Sequence, residues 1–144
     1  MTVLADFSRD GLAFRYPADW RLELEEADDG WTVTLQSPGT AFAVVRLDRN
    51  LPDPRDVVHA TLETLRADYP ELEAEAAIDM LAGEMAVGHD IEFFPLDAPT
   101  RCWTRSFHGE AGTVLVLCQV STLDPEEHEG RLQAFCASLR AEPE

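Results

Sequence analysis

The chain has 144 residues, of which 45% are hydrophobic, and its 28 acidic side chains outnumber its 11 basic ones to give a net charge of −17 at pH 7. This length and composition predict a single globular domain over residues 1–144 and argue against a disordered segment. The acidic surface repels phosphate groups and anionic lipids, so we expect no nucleic-acid partner. No apolar run reaches the roughly 18 residues of a membrane span, so we expect no membrane insertion.

The first part of the chain predicts four strands joined by short turns. Trp20, Leu22 and Leu24 alternate with polar residues, which is the period-2 pattern of a half-buried strand. An Asp-Gly pair and a Ser-Pro-Gly sequence mark two of the turns. The four predicted strands cover residues 11–16, 20–25, 31–36 and 41–48.

A helix follows, and the second part of the chain repeats the plan. Asp53 is the N-cap candidate, Pro54 takes the first helical position and Pro70 ends the helix. The apolar stripe of this helix is Val58, Leu62, Leu65 and Tyr69. Four more strands are predicted at 72–80, 85–94, 100–107 and 113–120, with connections at 95–99 and 108–112. A second helix opens at 124–127, with Asp124 as an acidic cap followed by a proline, and its stripe is Leu132, Phe135, Cys136 and Leu139.

The predicted element order is therefore ββββα-ββββα. Short connections between consecutive strands favour antiparallel pairing, and two amphipathic helices are available to cover the sheet. The predicted fold class is α+β, with an antiparallel β-sheet flanked by helices as an α/β/α sandwich.

The stretch FRYPADW, residues 14–20, lies where the first predicted strand ends. Pro17 cannot donate a hydrogen bond to a strand ladder, and Pro-Ala-Asp suits a tight turn. One interpretation is a strand-to-strand corner whose aromatic side chains are buried. The alternative is an exposed aromatic patch that binds a partner.

The same stretch, followed by a hairpin and Ser-Pro-Gly, resembles the opening of PsbP-like domains. The matching positions are Phe14, Tyr16, Pro17, Trp20, Ser37 and Pro38. That fold is shared by the extrinsic photosystem protein PsbP, a yeast nuclear-import factor that binds Ran, and bacterial DcrB-like domains. The resemblance implies an antiparallel sheet between helices and a binding or assembly role without catalysis. Some bacterial relatives are chaperones for secreted type VI effectors, but no motif in this sequence assigns it to that group.

The sequence has none of the phosphate-binding, nucleophile-elbow or zinc-protease motifs. Four histidines are scattered along the chain, and His128, at the front of the second helix, is expected on the surface. We therefore predict no catalytic residue, no metal site and no cofactor.

A cluster in the last three strands is the most informative feature. Arg101, Trp103 and Arg105 share one face of their strand because side chains alternate. The connection lengths predict that Asp90 lies opposite Arg105 and Glu92 opposite Trp103. The same register extends this face onto the next strand through Leu115, Leu117 and Gln119.

Two interpretations of this cluster stay open. In the first, cross-strand acid–arginine pairs and a stacked tryptophan stabilise the sheet. In the second, the face is a partly open binding groove, because tryptophan and arginine are common interface anchors. The candidate binding residues are Arg101, Trp103, Arg105, Glu92 and Leu117.

The predicted register also places Cys102 opposite Cys118 on the other face. We expect two buried, reduced thiols, and a disulfide is the alternative. The first residues lack the basic and apolar regions of a secretory signal, so we expect a cytoplasmic location.

These observations favour a non-enzymatic binding or accessory module with a protein partner. The alternatives are a chaperone or adaptor for a secreted or basic client, and a small-molecule-binding domain. An enzyme would need a pocket with perturbed titratable groups. The protein is expected to be a monomer or, through an uncovered edge strand, a homodimer.

Overall fold

The computed structural model describes residues 3–95 and 98–142, which form two antiparallel sheets and two helices. The strands are β1 (Leu4–Arg9), β2 (Leu12–Pro17), β3 (Arg21–Ala27), β4 (Gly30–Gln36), β5 (Phe42–Asp48), β6 (Glu73–Leu81), β7 (Glu84–Phe93), β8 (Thr100–His108), β9 (Thr113–Ser121) and β10 (Arg140–Ala141). The helices are α1 (Pro54–Asp68) and α2 (Glu126–Ser138). In the described part of the chain, no helix is long and apolar enough to cross a membrane.

The larger sheet has seven strands in the order β3-β4-β5-β9-β8-β7-β6, and all neighbours pair antiparallel. Helix α1 packs against one face, where it contacts β7, β8 and β9. Helix α2 packs against β2 and β9 on the opposite face, together with the smaller sheet β1-β2-β10. The chain is therefore α+β, with an antiparallel sheet between helices, and the predicted α/β/α sandwich is confirmed.

Helix α1 begins and packs as its sequence predicts. The Asp53 carboxylate accepts a hydrogen bond from the Arg55 backbone N–H at 2.9 Å, which satisfies one of the free amides of the first turn. Val58 and Leu62 are buried. Leu65 and Tyr69 pack beside Leu62 on a second, smaller core cluster that includes Leu72, Ile91, Phe93 and Cys102. Both the N-cap and the apolar stripe are confirmed.

The smaller sheet corrects the predicted element order, which omitted β1 and β10. β1 pairs with β2 through a two-residue turn at Asp10 and Gly11, whose φ angles of 51° and 81° suit a hairpin. β10 adds only Arg140 and Ala141 to the other side of β2. β1 was missed because it alternates between exposed and half-buried side chains, and β10 because two residues carry no periodicity.

The FRYPADW stretch is the predicted corner, but it connects two sheets rather than two strands of one sheet. The Trp20 backbone N–H donates to the Pro17 carbonyl at 3.0 Å, and the chain passes there from β2 into β3. Phe14 and Trp20 are buried. The Phe14 ring packs on those of Phe7 and Phe135, with centroids 4.9 and 5.1 Å away. These two aromatic rings are therefore core, not an exposed patch.

The start of α2 differs from its prediction. Asp124 does not cap the helix, which begins at Glu126. Its carboxylate instead accepts hydrogen bonds from the backbone N–H groups of Thr40 and Ala41, at 3.0 and 3.1 Å, and so fixes the turn before β5. The His128 side chain is largely buried, pairs with Asp124 at 3.2 Å and lies edge-on to Trp20, so its predicted surface position is wrong. The predicted connection at 95–99 includes residues 96 and 97, which lie outside the described residues.

Candidate functional site

A groove of about 610 Å³ lies on the α2 side of the seven-stranded sheet, over the strands that α2 and the smaller sheet leave uncovered. Its floor is formed by β6, β7 and β8. One side of α2, with residues from successive turns, forms a wall. The lining residues are Glu73, Glu75, Asp79, Asp90, Ile91, Glu92, Arg101, Cys102, Trp103, Arg105, Glu129, Gln133 and Cys136. We call this the acidic groove, because six carboxylates there face two guanidinium groups.

The floor is built of rows of directly opposite residues across antiparallel strands. In one row, Glu73 of β6 faces Glu92 of β7, which faces Arg101 of β8. In the next row, Glu75 faces Asp90, which faces Trp103. Directly opposite residues share a face of the sheet, so all of these side chains point towards the groove. Both rows begin with two carboxylates side by side, an arrangement that lowers the stability of a sheet.

Arg105 braces the floor and is almost fully paired. Its Nε donates to Asp79 at 2.6 Å, its Nη2 to Asp90 at 2.8 Å, and its Nη1 to the carbonyls of Thr104 and His89 at 2.8 and 3.2 Å. Only 7% of the residue is exposed. Burial works to lower the pKa of Arg105, but the hydrogen bonds of the two aspartates outweigh it and raise that pKa above its usual value. Arg105 therefore holds β6, β7 and β8 together and has little free capacity for a ligand.

Gly88, directly opposite Arg105, is required by the close approach of β7 and β8. A Cβ atom on Gly88 would lie 1.7 Å from the carbonyl oxygen of Thr104 and 2.5 Å from its carbonyl carbon. Both of those atoms belong to the backbone, which cannot rotate away. Only glycine allows the strands to meet at the point where the Arg105 guanidinium folds back over the sheet.

Three glutamates of the groove have no cationic partner among the described residues. Glu73, Glu75 and Glu92 form none of the ion pairs found there, whereas Asp79 and Asp90 are held by Arg105. All three side chains are exposed. The mouth of the groove therefore presents uncompensated negative charge at fixed positions on a sheet.

Arg101 joins the floor to the helical wall. Its Nη1 lies 3.3 Å from the Glu129 carboxylate on the first part of α2, and 55% of its side chain is exposed. An ion pair this exposed is worth little to stability. It can open for an incoming group at little cost, unlike the buried bonds of Arg105.

Trp103 lies at the base of the groove between Asp90 and Cys118 in its row. The ring is partly buried and packs against the main core. Its exposed portion is a flat aromatic surface bordered by carboxylates. Such a surface suits the alkyl stem of a lysine or the planar guanidinium of an arginine.

The predicted strand register is corrected in two ways. Between β7 and β8 the ladder closes at Phe93 and Thr100, and Phe94 belongs to the connection. Asp90 and Glu92 each lie opposite a residue two positions before the predicted partner. Asp90 therefore faces Trp103, and Glu92 faces Arg101. Because the shift is even, the side chains stay on the predicted face. Asp90 still reaches Arg105 as a diagonal neighbour.

Between β8 and β9 the error is a single residue, which changes the face. His108 extends β8 and pairs with Thr113, so Leu117 lies opposite Thr104 and points to the α1 side, where it packs on the second core cluster. Its assignment to the binding face is wrong. The same shift places Cys102 opposite Gln119 and Trp103 opposite Cys118.

The groove thus collects Arg101, Trp103, Arg105 and Glu92 and leaves out Leu117. The β6 carboxylates and the α2 residues of the groove are not among the predicted binding residues. The alternation in EAEAAID is a signal for Glu73 and Glu75, since every second residue of a strand shares a face. Glu129 and Cys136 line the groove only because of how α2 packs against the sheet. No local sequence pattern predicts that packing.

The cysteines are arranged differently from their prediction. All three are free, and Cys102 and Cys118 are buried on opposite faces of the sheet, so they cannot bridge. Cys118 instead meets Cys136 of α2, with 3.5 Å between the sulfur atoms. No group of three or more potential metal ligands occurs within residues 3–95 and 98–142.

Comparison with known proteins identifies the architecture. No protein-family model matches the chain, and no curated protein matches it. The solved structure of cyanobacterial PsbP from Synechocystis superposes with a TM-score of 0.67 at 13% identity, over 99% of this chain and 94% of that one. PA94, a Pseudomonas aeruginosa protein of unknown function, gives 0.57 at 14% identity, over 98% and 99% of the two chains.

A third structure, from Bacteroides thetaiotaomicron, gives a TM-score of 0.59 at 13% identity and covers 96% of this chain but 48% of its own. The present chain therefore spans about half the length of that protein. Identities this low show the fold alone, and the likeness to cyanobacterial PsbP extends over nearly the whole length of both chains. The protein has a PsbP-like fold.

Proposed function

We propose that this protein is a non-enzymatic binding module whose acidic groove takes a basic segment of a partner protein. The observation that carries the proposal is the set of three exposed glutamates without a cationic partner, Glu73, Glu75 and Glu92, in rows where carboxylates face each other. A lysine or arginine side chain inserted between two such carboxylates removes their repulsion. A bound cation therefore supplies the positive charge that the carboxylates of the isolated sheet lack.

Shape and chemistry favour an extended protein segment over a small molecule. Pockets for small molecules are mostly apolar, with a few polar groups, whereas this groove is lined by six carboxylates and is open along β6. The edge of β6 adds unpaired backbone groups beside Glu73 and Glu75, since β6 is the last strand of its sheet. A segment lying there can pair with the strand edge and place alternate basic side chains over the groove.

The test uses a fluorescein-labelled extended peptide with arginines at alternate positions, and a matched peptide with glutamates at those positions. Fluorescence anisotropy at low salt is expected to show binding of the arginine peptide alone, and added salt should weaken it. The variant Glu73→Gln/Glu75→Gln/Glu92→Gln should bind at least about ten-fold more weakly, which corresponds to roughly 1.4 kcal/mol.

The matched control removes the same amount of charge elsewhere. Glu25→Gln/Asp28→Asn/Asp29→Asn alters three exposed carboxylates around the β3–β4 turn, far along the sheet from β6. It should weaken binding by less than about three-fold, as a change in overall charge does. Equal losses in the two variants, or no binding of the arginine peptide by the unaltered protein, would overturn the proposal.

Trp103 gives a further arm of the test. Trp103→Ala should keep the far-ultraviolet circular dichroism of the folded protein while weakening peptide binding, because the aromatic surface under the basic side chain is lost. If this variant unfolded instead, Trp103 would be a core residue and the groove would lose its base.

A second candidate function, a chaperone or adaptor for a client protein, is favoured by a different surface. The β6–β7 hairpin exposes three large apolar side chains, those of Ile78, Met80 and Met85, each with more than 60% of its surface accessible. Flexible methionine side chains suit adaptable contacts. If this surface receives clients, the protein should slow the aggregation of a denatured basic protein, measured by light scattering. Ile78→Ser/Met80→Ser/Met85→Ser should abolish that protection while the arginine peptide still binds.

A further inference from the structure

Two thiols from different layers of the fold meet behind the acidic groove. Cys118 is in β9, in the middle of the seven-stranded sheet, and is fully buried. Cys136 is in the last turn of α2 and lines the groove. Their sulfur atoms are 3.5 Å apart, within hydrogen-bonding distance for sulfur. This is the only hydrogen-bonding contact between cysteine sulfur atoms among the described residues.

The two thiols differ in access and in acidity. Burial raises the pKa of Cys118 well above its usual value, so this thiol stays protonated within hydrogen-bonding distance of the Cys136 sulfur. That hydrogen bond lowers the pKa of Cys136, with burial acting in the opposite direction and the Trp103 side chain adding a further donor. Cys136 is therefore the thiol that ionises more readily. It is also the thiol with the most access to solvent, since it is half-buried whereas Cys118 and Cys102 are buried.

Cys102 provides an internal contrast. It lies on the α1 side of the sheet, its side chain is 1% exposed, and burial raises its pKa to about 12. The residues directly opposite it on the neighbouring strands are Ile91 and Gln119, neither of which contains sulfur. Cys102 is therefore neither as accessible nor as easily ionised as Cys136, although both are free thiols.

We propose that Cys136 and Cys118 form a reversible redox site, in which a hydroperoxide oxidises Cys136 and Cys118 then closes a disulfide between α2 and β9. The proposal is independent of what the groove binds. It rests on the short sulfur–sulfur distance, on the greater solvent access of one thiol and on the burial of the other.

Two balanced steps make up the reaction. The Cys136 thiolate attacks one oxygen of the hydroperoxide, so that an S–O bond forms, the O–O bond breaks and the other oxygen leaves as hydroxide or alkoxide, which takes up a proton. Sulfur is oxidised by two electrons and the peroxide is reduced by two. The Cys118 sulfur then attacks the sulfenic acid, an S–S bond forms, and the S–O bond breaks. The Cys118 proton leaves with the departing hydroxide as water.

Little movement is required for the second step. A disulfide bond is about 2.0 Å long, so the sulfur atoms must approach by roughly 1.5 Å from their 3.5 Å separation. The approach moves the last turn of α2 onto the sheet. The product ties α2, the wall of the groove, to β9 beside the floor, and a thiol reductant restores the open form by thiol–disulfide exchange.

The test exposes the full, reduced chain to hydrogen peroxide, blocks free thiols with N-ethylmaleimide and measures the intact mass under denaturing, non-reducing conditions. We expect a product that is lighter than the reduced chain by two hydrogen atoms before blocking and that retains one reactive thiol. Proteolytic mapping should place the bond between Cys118 and Cys136. Dithiothreitol should reverse the change.

Three variants separate the roles. Cys102→Ser should form the same disulfide at an unchanged rate. Cys136→Ser should lose thiols at least about ten-fold more slowly, because the remaining cysteines are buried and protonated. Cys118→Ala should stop at a sulfenic acid on Cys136 that dimedone traps, and circular dichroism checks that this core substitution leaves the protein folded.

Several results would overturn the proposal. A disulfide that includes Cys102 would contradict the geometry. The proposal would also fail if peroxide converted Cys136 to sulfinic acid, without any disulfide, in both the unaltered chain and Cys102→Ser. Cys118 would then not be the resolving thiol. Should Cys118→Ala fail to fold, the bond mapped in Cys102→Ser still decides the question.

Discussion

The α2 face of the seven-stranded sheet has two halves with the same strand backbone but different side-chain burial and polarity. Over β4, β5 and β9, side chains such as Leu35, Val45 and Val116 are fully buried under α2 and the smaller sheet. Over β6 and β7, the positions in the same alternation are occupied by Glu73 and Glu75 and their cross-strand neighbours, and these are exposed. We call the first region the covered half and the second the open half.

The difference shows that strand alternation and burial are separate pieces of information. Alternation fixes which side chains share a face, and both halves follow it. What lies above the face decides whether those side chains are apolar. Helix α2 contacts β2 and β9 and does not extend over the outer strands, so the open half is free to carry charge. Substitutions in the two halves should therefore have very different effects on stability and on binding.

The largest effect is expected from removing the layer that covers the apolar half. Phe14→Ala deletes a ring with no exposed surface that packs between Phe7 and Phe135. The cavity and the lost apolar contact should lower the free energy of unfolding by about 3–5 kcal/mol. Urea unfolding, followed by circular dichroism, measures this change.

The control is the same substitution at an exposed position. Phe94 has 60% of its surface accessible, so Phe94→Ala should change the free energy of unfolding by no more than about 0.5 kcal/mol. Similar losses in the two variants would mean that the small sheet and α2 do not form the tight layer described here.

In the open half, the largest effect should come from its one buried charge. Arg105→Met leaves Asp79 and Asp90 without their shared cation, so the two carboxylates repel each other across β6 and β7. Losing one partner of a fully buried pair costs about 3–5 kcal/mol, but these carboxylates are more than half exposed, so we expect about 1–3 kcal/mol.

A second substitution tests the cause of that loss. Arg105→Met/Asp90→Asn removes one of the two unpaired charges and should recover part of the stability relative to Arg105→Met. No recovery would show that the arginine acts by packing its stem rather than by joining the two carboxylates.

A moderate effect is expected at the end of the covered half, where Asp124 fixes the turn before β5. Partial burial works to raise the pKa of Asp124, but hydrogen bonds from Thr40, Ala41 and His128 outweigh it and lower that pKa below 3.8. A carboxyl with a lowered pKa stabilises the fold above its unfolded pKa, and the stabilisation is lost as the pH falls through the folded pKa. Asp124→Asn should therefore cost about 1 kcal/mol at neutral pH.

The pH dependence is the sharper readout. The difference in unfolding free energy between the unaltered chain and Asp124→Asn should be constant above about pH 5 and shrink below about pH 4. There the carboxyl takes up a proton in the unfolded state, whereas in the folded state it does so only at lower pH. A difference that stays constant down to pH 3 would mean that the charge of Asp124 contributes nothing, and that only the shape of the side chain matters.

Most of the fold could be predicted from the sequence, because its signals are local. The Asp53–Pro54 cap and the alternation of Trp20, Leu22 and Leu24 each depend on neighbouring residues, and the elements they predict are present. β1 was also open to prediction, since Asp10–Gly11 is a strong hairpin signal. The strand itself has only a weak hydrophobic pattern, because it lies in a small, partly exposed sheet.

The candidate site was less predictable, because register and docking are not local. A connection one residue shorter than predicted moved Leu117 to the other face, while a shift of two residues between β7 and β8 left Trp103 and Glu92 where they were expected. The approach of Cys136 to Cys118 depends on the packing of α2 against β9. No spacing in the sequence reports that contact.

The smallest expected effect separates the two halves most directly, because it has the opposite sign. Glu75 directly faces Asp90, and like charges in this position destabilise a sheet. Glu75→Gln should therefore raise the free energy of unfolding, by about 0.2–0.5 kcal/mol at low salt, although it weakens binding of the arginine peptide.

Glu25→Gln is the matched control, because Glu25 lies on the opposite edge strand, is exposed and faces the neutral Thr32. Both variants reduce the net charge equally, so both share any general relief of charge repulsion. They differ only in the local repulsion between Glu75 and Asp90, which Glu75→Gln removes. That difference should shrink as salt is added, since screening weakens the repulsion between exposed carboxylates. If Glu75→Gln were less stable than Glu25→Gln, its carboxylate would be contributing to the fold. A residue that lowers stability while it contributes to binding is typical of a ligand site. If Glu75 did not lower stability, the open half would lack this property and would be ordinary protein surface.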